Sequence, residues 1–65
     1  MQRQTYPGSS AVSSSTYDEE RQELVVTFKS GRSYTYRNVP PDVANDMATA
    51  DSVGRFVNSE LKAYA

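Results

Sequence analysis

Glu23-Leu24-Val25-Val26-Thr27-Phe28-Lys29-Ser30-Gly31-Arg32-Ser33-Tyr34-Thr35-Tyr36-Arg37 is the stretch whose reading decides the fold. Leu24, Val26 and Phe28 alternate with Val25, Thr27 and Lys29, the period-two pattern of a strand with one face toward a core. Ser30-Gly31 marks a reversal. Arg32 to Arg37 then alternates again, with Tyr34 and Tyr36 on one side and Ser33, Thr35 and Arg37 on the other. Two registers are open to this hairpin. A loop of Ser30-Gly31 pairs Lys29 with Arg32 and turns the tyrosines away from Leu24, Val26 and Phe28. A longer loop, Lys29-Ser30-Gly31 with Gly31 in the left-handed region, pairs Phe28 with Arg32. Val26 then opposes Tyr34, Leu24 opposes Tyr36, and the apolar and aromatic side chains share one face. The longer loop buries more apolar area and avoids opposing two like charges, so it is the preferred reading.

Working outward, Ser10 to Tyr17 is rich in Ser and Thr and is predicted as an edge strand beside this hairpin, joined to it by a polar turn over 18–22. Asn38-Val39-Pro40-Pro41-Asp42 stops the sheet, because proline cannot donate to a ladder. The same residues start a helix, since proline suits a first helical turn and Asp42 favours its positive end. Val43, Met47 and Ala50 share a helical face, flanked by Ala44 and Ala48. Asp51 or Ser52 is a candidate N-cap for a second helix with Val53, Phe56, Val57, Leu61 and Tyr64 as its apolar stripe. The predicted class is therefore α+β: a three-stranded antiparallel β-meander followed by two short helices packed on one face. Residues 1–8, with Pro7-Gly8, are expected to be a flexible lead-in, and 9–65 to be a single domain.

Composition limits what such a domain can do. A chain of 65 residues buries only about 60% of its unfolded surface and is expected to be marginally stable. Leu, Ile, Val and Phe contribute 11 residues, with no Ile, yet their regular spacing and a net charge of −1 argue for a folded chain. With no Cys and no His, thiolate chemistry, disulfides and the commonest general base and metal ligand are lacking. The serines of 13–15 have no histidine to activate them. The acids of 18–23 lack the ligand spacing of a calcium loop. No catalysis, metal or cofactor is expected. No apolar run is long enough to cross a bilayer and the first residues form no apolar signal core, so a cytoplasmic location is expected.

Five short pieces in order resemble the KTSC domain: Ser10-x-Val12-x-Ser14-x-x-Tyr17-Asp18, Leu24-x-Val26-x-Phe28-x-x-Gly31, Tyr34-x-Tyr36, Val39-Pro40 and Ser52-x-Gly54-x-Phe56-x-Asn58. The family is named after a module at the C-terminus of some lysyl-tRNA synthetases, and it also occurs as small stand-alone bacterial and phage proteins. Thr16 stands where the family often has glycine, and Ala44 and Ala48 where it often has larger residues. The resemblance implies a non-enzymatic module and carries a suggestion of RNA binding.

The residues offer one feature to match that suggestion. Residues 29–37 carry Lys29, Arg32 and Arg37 and no acid, on the most aromatic strand of an otherwise acidic chain. Tyr34 and Tyr36 could stack bases while Lys29, Arg32, Arg37 and Arg55 contact phosphates. Against this, a pI of about 5.1 is far from the value above about 9 usual for nucleic-acid modules, and the preferred register makes both tyrosine rings mainly core. The alternative function is protein interaction or self-association through an exposed edge of the Ser-rich first strand. Expected partners are RNA or another nucleic acid, or a protein, with no membrane, for a monomer or weak dimer.

Overall fold

The segment 23–37 forms the hairpin in the longer-loop register. The structure is a computed structural model that describes residues 2–64. Its strands are β1 (Gln2–Thr5), β2 (Val12–Asp18), β3 (Glu23–Phe28) and β4 (Ser33–Tyr36), its helices α1 (Pro41–Ala48) and α2 (Val53–Ser59), and a 3-10 turn spans Leu61–Tyr64. Leu24 opposes Tyr36 and Val26 opposes Tyr34. The Phe28 N–H donates to the Arg32 carbonyl at 2.8 Å and the Gly31 N–H to the Phe28 carbonyl at 2.9 Å. Gly31 closes the loop at φ +97°, a conformation that costs a side-chain-bearing residue.

The sheet has four strands, not three, in the order β1-β2-β3-β4 with neighbours antiparallel. The extra strand is Gln2–Thr5, within the segment expected to be a lead-in; it pairs Gln4 with Ser15 and Gln2 with Tyr17. Its four residues are all exposed, so no apolar alternation announces it. What fixes it is the next residue. Tyr6 is buried, its N–H donates to the Ser13 carbonyl at 3.0 Å, and its hydroxyl shares a 2.8 Å hydrogen bond with Ser15. The Ser-rich strand is consequently interior, not an edge. Its two paired neighbours explain why Ser14 and Ser15 are buried, and a bulge between Val12 and Ser14 accommodates the extra Ser13.

Both helices serve one sheet face. The core gathers Val12, Tyr17, Leu24, Val26 and Tyr36 from the strands, Val39 from the following loop, and Met47, Val53, Val57 and Leu61 from the helical half. Pro41 occupies the first turn of α1 beside Asp42, and the Ser52 Oγ caps α2 by accepting from the Arg55 N–H at 3.3 Å. An added Cβ at Gly54 would meet the Ala11 Cβ at 3.3 Å, so glycine lets α2 lie close to the chain entering β2. The second helix ends at Ser59 instead of running to Tyr64. The Ser59 hydroxyl donates back to the Arg55 carbonyl at 2.8 Å, and the chain tightens into the 3-10 turn that still buries Leu61.

One tie crosses the domain. The Tyr17 hydroxyl donates to the Val39 carbonyl at 2.5 Å, and the Val39 N–H donates to the Gln22 carbonyl at 2.9 Å. Asn38 turns the chain at φ 59°, a region asparagine tolerates better than most residues. The link between sheet and helices is thus pinned to the β2–β3 turn. Burial, then Glu19, Asp42 and Asp18 nearby, push the Tyr17 phenol above its usual pKa. Among the described residues, no helix is long and apolar enough to cross a membrane.

Candidate functional site

The helices do not reach the whole sheet face. α1 and α2 have 8 and 7 residues, about 10–12 Å each at 1.5 Å per residue. β3 with its loop is longer than that, at about 3.3 Å per residue. The uncovered part is the hairpin end. There Phe28, Lys29, Ser30, Arg32 and Tyr34 line a shallow, open depression of about 690 Å³ with Ser10 and Ala11, and no helical residue contributes.

This divides the two tyrosines. They stand two apart on one strand and on one face, yet Tyr36 is 8% exposed and Tyr34 48%. Tyr36 packs under the helical layer, and burial followed by the neighbouring Tyr34 raises its pKa. Tyr36 therefore leaves the candidate interface. The expectation of two core rings is corrected for Tyr34, whose ring meets Phe28 edge-on at 5.5 Å between centroids and 77° between planes.

Lys29 and Arg32 flank that ring from the loop, and both are exposed. The loop is held in place, because the Lys29 N–H donates to the Ala11 carbonyl at 2.9 Å as well as being closed by the Phe28–Arg32 bond. Arg37 lies beyond the opposite end of β4, exposed, with its Nε 3.9 Å from a Glu23 carboxylate oxygen; such a surface pair contributes at most about 1 kcal/mol. Arg55 belongs to another depression, on α2, whose wall includes Asp46, Asp51 and Glu60. That acidic setting opposes a phosphate.

Of the six residues predicted for the site, then, the structure brings together Lys29, Arg32 and Tyr34, and disperses Tyr36, Arg37 and Arg55. It adds Phe28 and Ala11. Phe28 had a signal of sorts: it is the last apolar residue before the loop, the position on a strand farthest from helical cover. Ala11 had none, since it precedes β2 and reaches the site only through the sheet pairing. What remains is one half-open aromatic ring with two cations on a fixed loop. Such a surface can stack a planar group and hold an anion beside it.

A four-stranded antiparallel sheet with one helical layer makes this a two-layer α+β domain. The chain belongs to the KTSC domain family, whose model matches residues 8–64. Its fold is that of a KTSC domain protein from Yersinia pestis known from a crystal structure. The two are 33% identical with a TM-score of 0.86, over 94% of this chain and 84% of that one. A protein of Tsukamurella paurometabola is 44% identical over 54 residues, covering 83% of this chain and 81% of the relative. An uncharacterised protein of Stutzerimonas stutzeri is 46% identical over 54 residues, 83% of this chain and 76% of the relative. A lysine–tRNA ligase of Nostoc punctiforme is 36% identical over 56 residues, 86% of this chain but only 10% of the ligase.

Proposed function

We infer that this domain is a non-enzymatic binding module for RNA or another single-stranded nucleic acid, with its contact surface at the β3–β4 hairpin end. The observation that carries the reading is the half-open Tyr34 ring flanked by Lys29 and Arg32 on a loop free of acid. A base stacked on Tyr34 places its flanking phosphates within reach of the two cations, the pairing of stacking and charge that single-strand binders use. The similarity to a segment of a lysine–tRNA ligase, an enzyme whose substrate is an RNA, supports the choice of RNA. One ring and two cations make a small footprint, so affinity is weak and the salt dependence shallow. Two phosphate contacts predict a slope of about −1.4 in log K against log salt for a single strand.

Titration of a fluorescent single-stranded oligoribonucleotide tests this, at about 50 mM salt and again at higher salt. The expected result is binding with that slope, weakened about 5- to 150-fold by Tyr34→Leu, the loss of one stack. Lys29→Gln with Arg32→Gln is expected to flatten the slope. Absence of binding at the lower salt, or binding indifferent to both variants, refutes the reading.

A further inference from the structure

The sheet has two free edges, and the hairpin makes one of them unlike the other. In the β3–β4 ladder, Phe28 bonds Arg32 at 2.8 Å, and Val26–Tyr34 and Leu24–Tyr36 follow in the same phase. Antiparallel ladders alternate, so the backbone groups of Tyr34 and Tyr36 face β3 and those of Ser33 and Thr35 face outward. Among the described residues, no backbone or side-chain hydrogen bond reaches those outward groups. The strand is not simply exposed on a flat rim. Thr35, Arg37 and Asn38 line a depression beside it with Ala63 and Tyr64 of the 3-10 turn, so the edge forms one wall of a groove and the C-terminal turn the other.

We propose that this groove accepts an extended acidic segment of another protein as a fifth strand, hydrogen-bonded to Ser33 and Thr35. The charge pattern selects the occupant. Exposed Arg32 and Arg37 bracket β4, and exposed Lys62 belongs to the 3-10 turn whose Ala63 and Tyr64 form the far wall. A second copy of this chain pairing β4 to β4 in antiparallel fashion would lay two acid-free 29–37 segments, each carrying Lys29, Arg32 and Arg37, side by side, a like-charge juxtaposition that disfavours it. Pairing β4 with β1 of another copy would be heterologous and open-ended, and would bring Arg3 to an already basic edge. An acidic strand meets complementary charge at both ends, gains main-chain bonds from Ser33 and Thr35, and can place alternate side chains against Tyr64, as strand-adding domains do. This edge shares Arg32 with the Tyr34 depression but places its strand bonds at Ser33 and Thr35, and the proposal does not rest on nucleic-acid binding.

The test uses the full chain, isotope-labelled for NMR, and a capped peptide of about six alternating Glu and Val residues. A second peptide carries N-methyl groups on every other amide, which keeps the charge and removes the strand bonds. Slowed amide exchange at Ser33 and Thr35 is expected with the first peptide, along with affinity at least tenfold lower for the methylated one. Thr35→Pro removes an outward N–H that the β3–β4 ladder does not use, and should abolish peptide binding in a domain with unchanged β3 resonances. Should that variant unfold, the two peptides still decide. Equal affinity for both peptides, shifts confined to Lys29 and Arg32, no binding at about 1 mM, or concentration-dependent dimers paired through β4 would each overturn the proposal.

Discussion

Tyr34→Ala and Tyr36→Ala remove the same ring from the same face of the same strand, and the structure assigns them different costs. A fully buried aromatic removes about 150–250 Å² from water. At about 25 cal/mol/Å², Tyr36, with 8% of its surface left, contributes about 3.5–6 kcal/mol as an upper bound. Cavity-forming aromatic truncations commonly cost about 3–5 kcal/mol. A domain of this size has about 3–5 kcal/mol in total, so Tyr36→Ala is expected to be largely unfolded at room temperature. Tyr34, at 48% exposure, buries about half as much. By the same measure truncation should cost at most about 2–3 kcal/mol and leave a largely folded domain. Urea unfolding followed by circular dichroism measures both, and wild type and Tyr34→Ala should share one denaturant slope. Equal costs, or a larger cost at position 34, would refute the division between core ring and surface ring on which the functional reading stands.

Three further outcomes follow from the fold. Tyr17→Phe leaves the buried Val39 carbonyl without its 2.5 Å donor and should cost about 1–3 kcal/mol, measured by urea unfolding, whereas Tyr34→Phe should be nearly neutral. Because the folded-state pKa of Tyr17 is raised, its contribution is fully present below the phenol's ordinary pKa of about 10 and is lost as pH climbs through the higher folded value; Tyr17→Phe should therefore flatten the alkaline fall in stability, and an unchanged profile would contradict the assignment. Gly31→Ala meets no atom within 4 Å of its new Cβ, so its cost of about 1–2 kcal/mol is conformational and should be recovered by Gly31→Asn more than by Gly31→Val in thermal melts.

The hairpin was legible because two independent local signals agreed. Period two in Leu24, Val26 and Phe28 set the face, and apolar burial together with avoidance of an opposed Lys29–Arg32 pair chose the loop length that carries Tyr34 and Tyr36 to the same face. β1 escaped because strand signals in sequence come from burial on one side, and Gln2–Thr5 is exposed on both; its anchor, Tyr6, is a single aromatic in a polar segment. The fates of Tyr34 and Tyr36 could not be separated by periodicity, which assigns faces and says nothing of where a covering helix stops. Nor could charge grouping along the chain foretell grouping in space. Lys29 and Arg32 meet because a turn joins them, Arg37 is carried to the far end of the strand, and Arg55 lies among acids on another element.

The central claim is that Tyr34, and not Tyr36, offers a ring to a base. Its most direct measurement is an NMR titration of the full chain with a single-stranded oligoribonucleotide, observing the aromatic protons of both tyrosines together with the Lys29 and Arg32 amides. The account predicts ring-current shifts at Tyr34, accompanied by Lys29 and Arg32, with Tyr36 and the Arg55 amide unmoved. Shifts at Arg37 or Arg55 with Tyr34 silent, or no response at low salt, would contradict it.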